Sequence, residues 1–166
     1  VPFFRALVLA IKCGIGGERP LPYHLVYLAE ACVVHRWVSN AGIAHLHAHF
    51  STNSAETAML ASTIGGCTYS FTAHGTLETD APRAIKLTEK IKRAAFVVAV
   101  SSFGRAQLLR WSNSEQWHKC KVVHCGLDLE EFGSISKNAP DGHTLVCVGR
   151  YCKEKGQLLL LGALRR

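Results

Sequence analysis

Tyr69-Ser70-Phe71-Thr72-Ala73-His74-Gly75 is the stretch on which the reading of the fold turns. Residues 69–73 are aromatic, β-branched or small, and none carries a charge. A run this short, without clear alternation, reads as a strand buried on both faces. It ends in a histidine followed by a glycine. Gly75 permits a sharp exit with the backbone close to a ligand. In an open parallel sheet, ligands bind in the crevice at the carboxyl ends of the strands. The strand therefore sets the His74 imidazole at the mouth of such a crevice. The alternative reading is a hydrogen-bonded structural histidine that caps the strand.

Upstream, residues 43–50 read as another strand, with His45, His47 and His49 on one face by two-residue alternation. Three imidazoles on a face are a possible metal set, but no carboxylate lies among them to orient the rings. The reading adopted is histidines lining the sheet end, and no metal site is expected. Asn53 with Glu56 three residues later resembles a capping box for a helix that runs to Ile64 and stops at Gly65-Gly66. Residues 3–11 form an apolar helix. The glycines at 14, 16 and 17 follow it as a loop, because the strand and helix that give a dinucleotide fingerprint its meaning are absent. Pro20 and Pro22 open a second helix, with Leu25, Leu28, Ala29, Cys32 and Val33 spaced as its buried face.

Downstream, residues 76–83 read as a polar loop, and a helix follows to about Arg93. Residues 95–100 form an uncharged strand. Ser101-Ser102 then cap a helix over 103–111, whose first backbone donors offer an anion site; a plain N-cap is the simpler reading. Residues 121–124 make a short strand and 134–142 a polar, turn-rich linker. Residues 144–148 predict a buried strand, and 156–164 a helix. Strand ends thus recur about every 25 residues, the length of one strand, one helix and two short loops. That alternation predicts a parallel α/β sheet with right-handed crossovers.

Composition limits the function classes. Apolar residues are 48% and charged residues 19% of the 166, so the chain is globular and not disordered. No apolar run reaches the roughly 18 residues that span a bilayer. Seven cysteines, an odd number with no Cys-x-x-Cys pair, predict a reducing compartment with neither disulfides nor zinc. The net charge of +7 points to an anionic partner, such as a nucleotide diphosphate or an acidic membrane surface. The basic residues stand singly or in pairs, without the basic run and aromatic interleaving of a nucleic-acid binder.

Five short motifs occur in order: His47-Ala48-His49-Phe50; Ser70 to Gly75; Val100-Ser101-Ser102; His124-Cys125-Gly126-Leu127-Asp128 with Phe132; and Val148-Gly149-Arg150 with Lys155-Gly156. Together they resemble the group 1 (GT4) retaining glycosyltransferases of the GT-B fold, polysaccharide-building members above all. The resemblance implies two Rossmann-like domains facing a cleft, with the acceptor mainly on the first and the nucleotide-sugar donor on the second. It implies no metal and no bound cofactor. It assigns catalytic or donor-binding positions to His74, Gly75, Ser101, Ser102, Gly149, Arg150 and Lys155. His74 would sit beside donor sugar and acceptor, and Arg150 and Lys155 would neutralise the departing diphosphate. The implied layout is residues 1–133 as a partial acceptor-side domain, 134–143 as linker and 144–166 as the opening of the donor domain.

The family's Glu-x7-Glu element, which orients donor sugar and ribose, has no counterpart among the glutamates of this sequence. Its glycine-rich phosphate loop is also missing. The chain is therefore expected to resemble a fragment with little activity alone; a non-catalytic remnant or interaction module of the same fold is the rival reading. Saccharide or lipid-linked acceptors imply a cytoplasmic chain, at most weakly held at an anionic membrane face. The strand predicted over 144–148 would lack partners, and docking as an added strand on the first sheet is expected to satisfy its backbone.

Overall fold

The computed structural model describes residues 1–75, 77–128, 130, 142 and 144–165, apart from the side chain of Leu77. The linker placed at 134–143 and Phe132 lie outside the described residues, save Gly142. Two compact units are present, Val1–Gly126 and Leu127–Arg166.

The first unit opens with two helices. In α1 (Pro2–Gly14), Pro2 stands in the first turn, where a missing N–H is harmless, and Ala6, Leu9, Ala10 and Cys13 are buried at helical spacing. Helix α2 (Leu21–Asn40) buries His24, Leu28, Ala31 and Val38. This corrects the face read from the sequence: Leu25 and Val33 are exposed, at 42% and 48%. The apolar spacing was satisfied by two overlapping stripes, and the buried contact of His24 with Glu56 selected the other one.

Strands β1 (His45–His49), β2 (Thr68–Ala73), β3 (Val97–Ala99) and β4 (Cys120–Val122) form one sheet in the order β1-β2-β3-β4. Every pairing is parallel. The connecting elements are α3 (Asn53–Ile64), α4 (Leu77–Asp80) with α5 (Leu87–Arg93), and α6 (Ser102–Arg110) with a 3-10 turn at Ser114–Lys119. A monotonic strand order with crossovers of one hand places the connecting helices on one face. The core agrees: Ala48, Tyr69, Phe71, Ala73, Val97, Ala99 and Cys120 join helix residues in one cluster, all from the same side of the strands.

Residues 69–73 are buried throughout, as expected of the central strand. The two faces achieve this differently. One packs on the helices, while Ser70 and Thr72 are covered by the imidazoles of the neighbouring strand.

Three local readings are corrected. The first turn of α3 has no capping box: Thr52 is the N-cap and its side chain makes no bond to the helix backbone, while Glu56 points inward to His24 and Lys90. A buried histidine and a buried lysine as partners outweigh a solvent-exposed cap. The polar loop at 76–83 contains the short helix α4, because Glu78 has backbone donors to accept from. Residues 144–148 form no strand; Leu145, Val146 and Val148 are 66%, 80% and 92% exposed. They neither extend the four-stranded sheet nor bury an apolar face, as an isolated strand offers too little area to offset its ordering entropy.

The second unit keeps its helix, α7 (Gln157–Leu164), preceded by a 3-10 turn at Lys153–Lys155. Gly156 between them has φ 68°, a conformation that favours glycine. Among the described residues no helix is long and apolar enough to cross a membrane.

Candidate functional site

The carboxyl ends of β1, β2 and β3 lie side by side, so His49, His74 and Ser101 arrive on adjacent strands, as the crevice rule predicts. His49 Nδ1 and His74 Nε2 are 2.8 Å apart and share one hydrogen bond, so one ring nitrogen donates and the other accepts. The ring of Phe50 lies 4.8 Å from that of His74, centroid to centroid. Phe50 has φ 71°, rare for a bulky residue, and this sharp exit from β1 swings its ring beside His74.

Glu78 fixes both strand ends. Its Oε1 accepts from the backbone N–H and the hydroxyl of Ser51, and its Oε2 accepts from the N–H groups of His74 and Gly75, at 2.5 and 3.1 Å. One carboxylate, 6% exposed, thereby ties the exit of β1 to the exit of β2. Gly75 is in place beside His74, where nothing would contact an added Cβ.

Between β2 and β3 lies a cavity of about 210 Å³ lined by His74, Gly75, Ser101, Phe103 and Gly104, among others. Ser101 is the N-cap of α6, and its hydroxyl oxygen accepts from the Gly104 N–H at 3.0 Å. The N-cap reading is therefore correct, and the Ser101 side chain is already engaged. The first-turn N–H groups of Ser102 and Phe103 are of the kind a helix leaves without intrahelical acceptors.

The histidine face of β1 continues away from this end as a hydrogen-bonded ladder. His45 bridges the hydroxyls of Thr68 and Ser70, and His47 bridges those of Ser70 and Thr72, at 2.6–2.8 Å. Phe96 stacks over His45 and His47. Partial burial, then the neighbouring histidines, hold the His47 pKa below its ordinary value. No group of three or more metal-ligating side chains is found among the described residues. All seven cysteines are free thiols.

Gly149, Arg150 and Lys155 belong to the second unit. An added Cβ at Gly149 would lie 3.6 Å from the Lys155 side chain, and the Arg150 carbonyl accepts from Gln157 Nε2 at 2.7 Å. Both cations are exposed. The geometry thus gathers His74, Gly75, Ser101 and Ser102 in one unit, and Gly149, Arg150 and Lys155 in the other.

Sequence reasoning missed the roles of Glu78 and Phe50, and the burial of His24, Glu56 and Lys90 as one trio. Glu78 gave no signal, since a glutamate in a polar loop is ordinarily solvated. Lys90 did give one: Leu87, Lys90 and Ile91 are spaced as one buried helix face, although the surrounding charges disguise it.

A parallel sheet with these side chains collected at its carboxyl edge places the chain among α/β proteins, and is consistent with a Rossmann-like GT-B domain. Residues 10–131 match Glycosyltransferase Family 4, and the chain belongs to that family. No curated protein matches it significantly. No solved structure does so either.

Proposed function

We propose that the chain serves transfer of a sugar, with retention, from a nucleotide-sugar donor to a saccharide or lipid-linked acceptor in envelope or exopolysaccharide synthesis. The observation that carries this reading is the His49–His74 pair beside the cavity at the start of α6, in a chain of this family. His74 is the side chain assigned to the reacting centre. With Nε2 hydrogen-bonded to His49, its ring is held in one orientation, and the pair can pass a single proton between the rings. Glu78 keeps that ring at a fixed height by holding the backbone beneath it. The N–H groups of Ser102 and Phe103 suit phosphate or sugar oxygens. Arg150 and Lys155 carry the positive charge that stabilises a departing nucleoside diphosphate, where negative charge grows most in the transition state.

The net charge of +7 supports weak contact with the anionic cytoplasmic face of a membrane.

Isothermal titration with uridine and guanosine diphosphate hexoses tests the reading. Millimolar affinity is expected, weakened about tenfold in His74→Ala, the equivalent of one lost hydrogen bond. No binding by any donor, or the same affinity in the variant, overturns it.

A further inference from the structure

The turn that follows β1 is gripped from two sides. Glu78 holds Ser51 from the crevice side. From the other side Lys90 Nζ donates to the carbonyls of Ser51 and Thr52, at 2.8 and 2.7 Å. The same ammonium lies 3.7 Å from Glu56 Oε2. Glu56 Oε1 is 2.5 Å from His24 Nδ1, and His24 Nε2 donates to the Arg19 carbonyl at 3.1 Å. The three side chains are at most 5% exposed.

Such a network is an expensive way to fill space. Replacing a buried ion pair by apolar groups of similar volume is often neutral or stabilising. An apolar side chain, however, cannot donate to two turn carbonyls. An ammonium has three N–H donors. Here two serve the carbonyls, and the third side of the amine faces Glu56.

The gripped turn carries part of the crevice. His49 and Phe50 directly precede Ser51; His49 shares a hydrogen bond with His74, and the Phe50 ring lies beside it. Phe50 sits at φ 71°. A bulky residue persists there only where its surroundings over-determine it. The Ser54 hydroxyl donates to the carbonyls of His49 and Phe50, but Ser54 lies in the first turn of α3 and moves with the segment. Lys90 stands 38 residues beyond Thr52 and ties the turn to α5. A cavity of about 290 Å³, lined by Thr52, Asn53, Glu56 and Lys90 among others, adjoins the turn on that side. The turn has room to move there once the grip is lost.

We infer that Lys90 is a positioning residue: through the Ser51 and Thr52 carbonyls its ammonium form holds His49 against His74. Deprotonation leaves two donors and a lone pair among acceptors, so the grip weakens and the pair loosens. Burial lowers the Lys90 pKa to about 8, opposed by Glu56 on α3, Cys13 on α1 and Glu18 after it. His24 on α2 faces the lysine across Glu56, and Arg19 lines the same cavity. The loosening therefore falls at mildly alkaline pH. Its consequence for sugar transfer rests on the transferase reading; the positioning does not.

Nitrogen-15 NMR of the ligand-free chain tests the inference. Coupling across the hydrogen bond between His49 Nδ1 and His74 Nε2 reports the pair, and the Thr52 and Asn53 amides report the gripped peptide groups. Between pH 7 and pH 10 the wild-type coupling should fall by at least half, in step with both amides, with a midpoint near 8. In Lys90→Met the coupling should be weak throughout and the step absent. Val38→Ala, a buried change near the amino end of β1, should keep both. Affinity for a uridine or guanosine diphosphate hexose at pH 7 should fall at least threefold in Lys90→Met. A wild-type pair indifferent to pH overturns the inference, as does full coupling in Lys90→Met or an equal loss in Val38→Ala. If Lys90→Met does not fold, the wild-type titration decides alone. Donor binding with a pair independent of Lys90 removes this inference alone. A pair that follows Lys90 in a chain that binds no donor removes the transferase reading alone.

Discussion

At the scale of single residues, Glu78 holds the crevice together through acceptor chemistry alone. Among the described residues its four partner groups are all donors, two on each oxygen. Glu78→Gln turns one oxygen into a second donor group facing N–H groups or a hydroxyl. A loss of about 2–3 kcal/mol is expected in urea unfolding, with faster hydrogen exchange at His74 and Gly75. A loss below about 0.5 kcal/mol, the range of an ordinary surface change, contradicts the clamp. His47 makes a second residue-level prediction. Its folded pKa is depressed, so its contribution to stability is present above the ordinary value near 6.5 and lost as pH falls through the lower one. Ring-proton NMR should give His47 a midpoint below that of a free histidine; a midpoint at or above 6.5 refutes the ladder. His74 was legible in the sequence because a charge-free strand ended on it. Glu78 was not, since its role depends on two strand ends that meet only in the fold.

At the scale of elements, the Lys90–Glu56–His24 network joins α5, α3 and α2 beneath the turn after β1. Its cost has a defined pH dependence. The Lys90 pKa falls from 10.5 to about 8 on folding. Between these values the unfolded chain binds more protons than the folded one, so the Lys90 contribution to stability rises with pH, by about 3 kcal/mol across the window. Cys13 works in the opposite sense: burial raises its pKa from 9.0 to about 11, so its contribution is lost as pH rises through that range. Comparing wild type with Lys90→Met isolates the lysine. Wild type should gain on the variant between pH 8 and pH 10, and a parallel pair of curves would contradict this origin. The same network explains two misread elements. A capping box and an apolar stripe were each locally consistent, and each lost to the buried contact of His24 with Glu56, residues 32 positions apart.

At the scale of the whole molecule, the parallel order of β1 to β4 was readable from the roughly 25-residue recurrence of strand ends, because each crossover has a nearly fixed length. The recurrence failed at residues 144–148, where a strand-like composition is left exposed and unpaired among the described residues. The proposed function has ligand entering at the carboxyl edge of this sheet, between the ends of β2 and β3. Amide-resolved NMR during titration with a uridine diphosphate hexose tests it most directly. Saturable shifts are expected at Ala73, His74, Gly75, Ser101, Ser102 and Gly104, with Thr68 and Lys121 at or near the opposite ends of their strands unmoved. Shifts confined to those opposite ends, or none at the carboxyl edge, would contradict it.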